Sequence, residues 1–505
     1  AHGERVGVGT NILASGIKYI GKEYPADTLG SGEYFYPDGS TYQGETLNRK
    51  RHGFGTLIKH DGSVYTGEWR HGKFWGQGRF THHSGGVYEG SFREGMYNGP
   101  GRRTSPAGDI YEGNFVNGKL YGPGTIRYVD GAIYEANFVA DLIEGTGTAK
   151  YPNGAVYTGE WKDDQYHGQG TLTFTNGSVY FGDFVSGRRE GQGKLVTPDN
   201  LIYEGEFKQT NYHGQGTLRF PNGSVYSGEF EDNKMHGKGV FTSNIGAVYE
   251  GNMADGRFHG DGKITTPDGA TTEGTFVQGL MQGKGVNKSP IGYSYVGDYV
   301  DNLPNGVGIL TYPNGDRYAG EVSAGKRHGQ GKLTNQHGTT YEGEWDMNRK
   351  EGWGRLSDAA GKVYEGGFQK SKKHGQGKFS GTDGTVYEGD WAADKRHGEG
   401  RLITPSGAVY EGSFCEGYRH GWGRELSPAG EVLYEGLFDT GRRAGEDAAS
   451  SAEEDRLQWQ DLQGGTESSL DIIDTSPLAQ ETQEHVAAMF EQARAARELT
   501  SKRYN

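Results

Sequence analysis

Apolar and polar positions along most of this chain repeat every 23 residues, a longer interval than one helix turn or one strand pleat can set. Tyr19, Tyr42, Tyr65 and Tyr88 begin a series of evenly spaced tyrosines that runs to Tyr249. It resumes from Tyr295 to Tyr410, with Thr272 in the one vacant slot, and Tyr434 follows a one-residue insertion. With the tyrosine as position 1, position 3 is glycine in all units but one, where Ala136 stands. Position 5 is usually Trp or Phe, as in Trp69, Trp161, Phe207, Trp345 and Trp391. Positions 12 and 14 form Gly-x-Gly pairs, and position 16 usually carries an aliphatic residue or Phe, such as Leu57, Leu218 or Leu402. Position 21 is again glycine in nearly every unit, often within Pro-Asp-Gly or Pro-Asn-Gly, as at Gly154 and Gly315.

Residues 1, 3 and 5 of a strand share one face, and residues 2 and 4 share the other. One face then reads Tyr, Gly, Trp or Phe, while the other is often acidic, as at Glu342 and Glu344. A second strand follows the Gly-x-Gly pair, whose bare backbone leaves room for neighbouring rings. Proline fixes φ and glycine accepts positive φ, so Pro-Asn-Gly closes a turn. Each unit predicts one β-hairpin. The fold class expected is all-β, an elongated single-layer antiparallel array of about nineteen such hairpins over residues 1–443. Two strands per unit give roughly 9–10 Å of advance per repeat, and each unit touches only its neighbours. The aromatic pairs Tyr65/Trp69, Tyr157/Trp161, Tyr341/Trp345 and Tyr387/Trp391 are the expected structural framework. Local weak points are expected at Thr46, Ala136, Met253, Thr272 and Val322, where an anchor, glycine or ring is lost.

Tyr341-Glu-Gly-Glu-Trp345 followed by Gly352-Trp-Gly354, and Tyr157-Thr-Gly-Glu-Trp161 followed by His167-Gly-Gln-Gly170, resemble the MORN (membrane occupation and recognition nexus) repeat. The resemblance spans about residues 1–443 and rests on spacing, rings, glycines and turns together. It implies an elongated, slightly twisted antiparallel sheet with a groove. It is most similar to the arrays of axonemal, radial-spoke-head-type scaffolds, which hold fixed distances between proteins. The function this implies is a non-catalytic scaffold or spacer in a ciliary or flagellar axoneme or a related cytoskeletal assembly. Its partners would be other proteins of that assembly, with homodimerisation open. The alternative is a tether that joins cytoskeleton to membrane by binding anionic phospholipid through the array. The family also precedes lipid-kinase and methyltransferase domains, but only 62 residues follow residue 443, too few for either.

Composition sharpens this picture. Glycine reaches 90 of 505 residues and hydrophobic residues only 32%, too few for a thick aliphatic core. Yet 32 Tyr, 21 Phe and 8 Trp argue against disorder, which is poor in rings. A net charge of −14 speaks against nucleic-acid binding. The single cysteine, Cys415, allows no intrachain disulfide and fits a reducing, cytoplasmic compartment. No apolar run approaches the ~18 residues of a membrane span.

Candidate chemistry is sparse. Nine histidines, among them His52, His167, His328 and His420, fall at position 11. Successive ones stand about 9–10 Å apart, too far to share an ion whose ligands converge at ~2.0–2.1 Å. They read as turn residues, and no metal is expected. The Gly-x-Gly pairs do not continue into a phosphate-binding loop, so no cofactor is expected. Cys415 has no activating base in view, and no catalytic residue is expected.

Basic pairs at positions 9 and 10 are the strongest partner-binding signal: Lys326-Arg327, Arg349-Lys350, Lys372-Lys373, Lys395-Arg396 and Arg442-Arg443, with Arg419 alone. At hairpin tips they would line one edge as a basic ribbon for an acidic partner or phosphoinositide headgroups. Equally, exposed lysines and arginines there would only protect sheet edges.

Residues 444–505 differ, with 13 Asp and Glu against 5 Lys and Arg, a net −8. Residues 444–475 read as an acidic linker. Ser476-Pro477 would start an amphipathic helix over 476–505. Leu478, Val486, Met489 and Phe490 lie on its apolar face. That face either docks a partner or caps the last hairpin.

Overall fold

The computed structural model describes residues 9–22 and 27–445. The chain divides into two compact units, Ala1–Pro221 and Asn222–Asn505. The expected helix over 476–505 and the acidic linker lie outside the described residues, apart from Ala444 and Gly445.

In the first unit nineteen strands, from Gly9–Ile12 to Asn211–Arg219, pair antiparallel in chain order within one sheet. In the second, twenty strands from Val225–Glu231 to Arg442–Arg443 do the same. Among the described residues there is no helix. From Thr41–Leu47 to Tyr418–Leu426 each 23-residue unit contributes a seven-residue and a nine-residue strand, as in Thr340–Asp346 and Arg349–Ser357. Between them lies a two-residue turn, Met347 and Asn348, with φ of 44° and 75°. Both are left-handed, the geometry that matches hairpin twist.

The register explains the glycines. Gly343 faces Gly354 across the ladder, and then the register shifts, so that Trp345 faces Lys350. This bulge leaves Gly352 at φ +61°, a backbone state that favours glycine. It also frees backbone groups that something must satisfy. The Tyr341 hydroxyl donates to the Glu344 carbonyl at 2.9 Å. The Glu344 carboxylate in turn accepts the Trp353 amide at 3.1 Å. The same pair of bonds recurs at Tyr42/Glu45, Tyr203/Glu206 and Tyr318/Glu321. The acidic residue at position 4 is therefore a bulge cap as well as an outer-face charge.

The core is one layer of rings. Tyr341 is wholly buried, and Trp345 meets it edge-on at 5.0 Å and 89°. Tyr341 also takes the edge of Phe368 from the next hairpin, at 5.0 Å. Trp345 reaches back to Tyr318 at 5.6 Å, and its indole N–H donates to the Gly331 carbonyl at 3.1 Å. Tyr65/Trp69, Tyr157/Trp161 and Tyr387/Trp391 repeat the arrangement at 5.1 Å. Each such pair contributes about 0.5–1.5 kcal/mol beyond its buried area. Position 16, as in Leu57, Leu310 and Leu402, completes the layer.

The expected weak points are filled rather than empty. At Thr272 the missing ring is replaced by Met281, whose Cε lies over Gly274 and Gly285. Met253 and Val322 are buried, and Thr46 accepts or donates a 3.0 Å bond with Tyr34. Ala136 has the largest consequence. Its methyl stands against Gly147, where a tyrosine ring lies in most other hairpins, and Tyr134 turns instead toward Tyr151 at 6.0 Å. The insertion before Tyr434 appears as an extra register shift at Glu425/Leu426.

Candidate interaction surfaces

Cross-strand partners share a face, so the Trp345–Lys350 and Phe368–Lys373 pairs place position 10 on the ring face. In many hairpins this position is another ring or an aliphatic. Phe74 stacks on Tyr65 at 3.8 Å, Tyr212 on Tyr203 at 3.8 Å and Phe258 on Tyr249 at 3.7 Å. From residue 327 onward every position 10 is cationic: Arg327, Lys350, Lys373, Arg396, Arg419 and Arg443.

These cations do not stand out from hairpin tips as an exposed ribbon, and that part of the expectation is corrected. Arg327 is 3% exposed and packs its guanidinium over Trp345 at 4.3 Å. Lys350 is 0% exposed, with its ammonium 5.6 Å from the Tyr341 ring centre. Lys373 lies over Tyr364 and Trp391, and Arg396 over Tyr387 and Phe414. Arg327 and Arg396 also donate to the carbonyls of Asn348 and Gly417 in the next hairpin, at 3.0 and 2.8 Å. Arg419 and Arg443 both pair with Glu425, the latter at 2.6 Å. The physical reason is the pleat: adjacent residues of a strand point to opposite faces, so only one of each basic pair can face outward.

The position-9 partners take the other side. Lys326, Arg349 and Lys372 are exposed, while Lys395 is half-buried and paired with Glu416. Arg442 is half-buried at the last strand. Leu478, Val486, Met489 and Phe490 lie outside the described residues. Among the described residues no group of three or more His, Cys, Asp or Glu side chains converges as a metal site would. No helix there is long and apolar enough to cross a membrane.

The opposite face carries ladders of ion pairs between positions 15 and 2, such as Arg355–Glu365 at 3.2 Å and Lys332–Glu342 at 3.0 Å. They are about half exposed and contribute little each. Two tryptophans interrupt them. Trp353 and Trp422, both at position 13, are 58% and 60% exposed, and Trp422 faces the exposed Leu437. Sequence reasoning passed over them as part of Gly-Trp-Gly. The signal was there, since position 13 is usually polar. Earlier on the same face, Val286, Val296, Val307 and Ile309 replace the charges with an apolar patch.

Comparison with curated proteins gives no match. Among solved structures, the TCP domain of SAS-4 from Drosophila melanogaster, in complex with a proline-rich motif of Ana2, is 15% identical at a TM-score of 0.22. That match covers 35% of this chain and 89% of that one. The TCP10 domain of Danio rerio CPAP is 11% identical at a TM-score of 0.12, covering 62% of this chain and 99% of that one. Virginiamycin B lyase from Staphylococcus aureus is 10% identical at 0.10, covering 66% and 92%. Scores this low carry no argument about fold or function. The family model for the MORN repeat is different in kind. It matches sixteen times between residues 42 and 409, from 42–64 to 387–409, somewhat fewer than the nineteen units counted from tyrosine spacing. Even the hairpin that lost its tyrosine is matched, over 273–292, and on these sixteen repeats the chain belongs to the MORN repeat family.

Proposed function

We propose that the chain is a non-catalytic scaffold and spacer, holding protein partners in a ciliary axoneme, in a radial-spoke-like role, or in a related cytoskeletal assembly. A MORN repeat array is a structural scaffold for binding protein or lipid. The observation that carries the protein-binding reading is the pair of exposed tryptophans, Trp353 and Trp422. Three repeats separate them, on a face whose neighbouring hairpins carry ion pairs such as Arg355–Glu365. Exposed tryptophan on a rigid surface is the residue type that dominates protein interfaces. The exposed position-9 cations Lys326, Arg349 and Lys372 flank the hairpin tips and suit acidic partners. Homodimerisation through the same face belongs to this reading.

Tethering to anionic phospholipid is the second reading, supported by those same cations. The two separate in one experiment. Cells expressing the tagged chain are extracted with detergent, and the residue is cross-linked and digested for mass spectrometry. A scaffold stays with the detergent-resistant skeleton and cross-links to its proteins, and Trp353→Ala with Trp422→Ala releases it. Quantitative loss into the detergent fraction, together with sedimentation on phosphatidylserine vesicles, overturns the scaffold in favour of the tether.

A further inference from the structure

In most hairpins the anchor tyrosine lies over its own glycine pair and is sealed there, as Tyr88 and Tyr157 are, with none of the ring exposed. Two adjacent hairpins of the first unit break that pattern. Leu120 covers Gly113 and Gly124 in the hairpin of Tyr111, and the Ala136 methyl stands against Gly147 in the hairpin of Tyr134. Both displaced rings gather outside the glycine seats, where position 18 adds a tyrosine to each hairpin, Tyr128 and Tyr151. Tyr111 meets Tyr128 at 6.4 Å, Tyr128 meets Tyr134 at 5.6 Å and Tyr134 meets Tyr151 at 6.0 Å, all edge-on. The Tyr166 hydroxyl donates to that of Tyr151 at 2.5 Å and holds that end. The Arg103 guanidinium, 4.3 Å from the Tyr111 ring centre, closes the other.

The row is open to a ligand. Tyr128 is 38% exposed beside Val129 at 66%, and Tyr111, Tyr134 and Tyr151 are half-buried. Neither the Tyr111 nor the Tyr128 hydroxyl has a hydrogen-bond partner among the described residues, so both are left to donate. The surroundings are acidic. Burial, the neighbouring phenols and then the carboxylates of Asp109, Asp130 and Asp164 raise the Tyr128 and Tyr134 phenols above their ordinary value. A polyproline II segment fits each of these features. Its prolines rest on tyrosine rings, and its carbonyls, with few N–H groups to pair them, accept from phenols. Its turn of three residues advances about 9.3 Å, and a hairpin advances roughly 9–10 Å. Tyr111 and Tyr134 stand one hairpin apart, as do Tyr128 and Tyr151, so every third residue of the segment meets an equivalent cleft. The three aspartates suit Lys or Arg placed among the prolines.

We propose that the row of Tyr111, Tyr128, Tyr134 and Tyr151 is a docking site for a proline-rich, basic segment of a partner protein, bound as a polyproline II helix along the array. The proposal takes from the scaffold reading only that the partner is a protein. It involves neither Trp353 nor Trp422, so the two stand or fall by different experiments.

The probe is a fluorescein-labelled peptide, Arg-Pro-Pro-Ala-Pro-Pro-Ala-Pro-Pro-Arg, titrated with the full chain and followed by anisotropy. A control peptide has alanine for each proline and keeps both arginines. The proline peptide is expected to bind in the micromolar range and the control about tenfold more weakly. Tyr128→Ser removes the most exposed ring and is expected to weaken binding about tenfold, with the β-sheet circular dichroism unchanged. Ala136→Gly reopens the glycine pair to Tyr134 and withdraws that ring from the row. It is expected to weaken binding to a similar extent without loss of stability. No binding, equal binding of the two peptides, or binding unchanged in folded Tyr128→Ser overturns the proposal. So does retention of cellohexaose in place of the proline peptide, which makes the row a platform for sugar rings. If Tyr128→Ser fails to fold, Ala136→Gly decides.

Discussion

The Tyr341 ring lies so closely on Gly354 that a Cβ there would stand 2.5 Å from its hydroxyl oxygen and 2.6 Å from its Cε2. The glycine admits the ring, and the ring brings a hydroxyl to the Glu344 carbonyl that the bulge leaves free. The two residues therefore fail differently when changed. Gly354→Ala forces the ring off the sheet and costs about 2–3 kcal/mol. Tyr341→Phe keeps the ring, loses one hydrogen bond and costs about 1 kcal/mol. Amide hydrogen exchange should place both losses within residues 340–357 and the adjoining hairpins, as nearest-neighbour coupling requires. A Phe substitution more damaging than the Ala would remove the ring-on-glycine account.

Met281 does the work of a tyrosine where Thr272 stands. Its Cε lies over Gly274 and Gly285, and the Asn287 side chain donates to Thr272 Oγ1 at 2.8 Å. Met281→Ala should open a cavity in this hairpin and cost about 2–4 kcal/mol. The informative step is the double variant. Thr272→Tyr in the Met281→Ala background supplies the usual ring and should restore most of the loss in thermal unfolding. Thr272→Tyr alone should destabilise, since ring and Met281 compete for one space. Additive effects of the two changes would show that they do not share it.

How much of this the sequence disclosed follows from what periodicity can report. Spacing fixes which residues share a strand face, so Tyr341, Trp345 and Leu356 were legible as one ring face and Glu342 as its opposite. Spacing does not report a bulge. The shift between Gly343 and Trp345 converts Glu344 from a surface charge into a cap for the Trp353 amide. The basic pairs misled for a similar reason. Arg327 and Lys350 have the composition of turn residues, but they sit one place into a strand that pleats inward and rest on Trp345 and Tyr341. Met281 was invisible because a methionine at position 10 looks the same whether it lies beside a tyrosine or replaces one. Trp353 and Trp422 were hidden by belonging to the motif.

Ala136 offers a test in the opposite direction. It faces Gly147, and its methyl denies Tyr134 the place that Tyr157 takes over Gly170. Ala→Gly in a strand ordinarily costs about 0.5–1 kcal/mol in chain entropy. Here Ala136→Gly should be neutral or stabilising, because Tyr134 can then fold over the glycine pair and reach the carbonyl of Asn137. The tyrosine's absorbance on solvent perturbation should fall as it becomes buried. A loss of stability of the ordinary size, with Tyr134 exposure unchanged, would mean that the Tyr134–Tyr151 contact holds the ring on its own account.

Alkaline pH acts on many of the buried tyrosines together. Burial raises the phenol pKa of anchor tyrosines such as these above the ordinary 10.0, to about 12 at Tyr157 and Tyr295 and further at Tyr341 and Tyr387. A raised folded-state pKa means that the folded array binds more protons than the unfolded chain above pH 10. The stability these groups contribute is therefore complete below about pH 10 and is lost as pH climbs toward 12 and beyond. Many identical layers multiply the slope, so the transition should be steep. The phenolate absorbance of these buried anchors should rise only together with the loss of β-sheet circular dichroism. A single smooth titration centred on pH 10, with the sheet signal intact, would show that the hydroxyls are open to water and not seated on the bulge carbonyls.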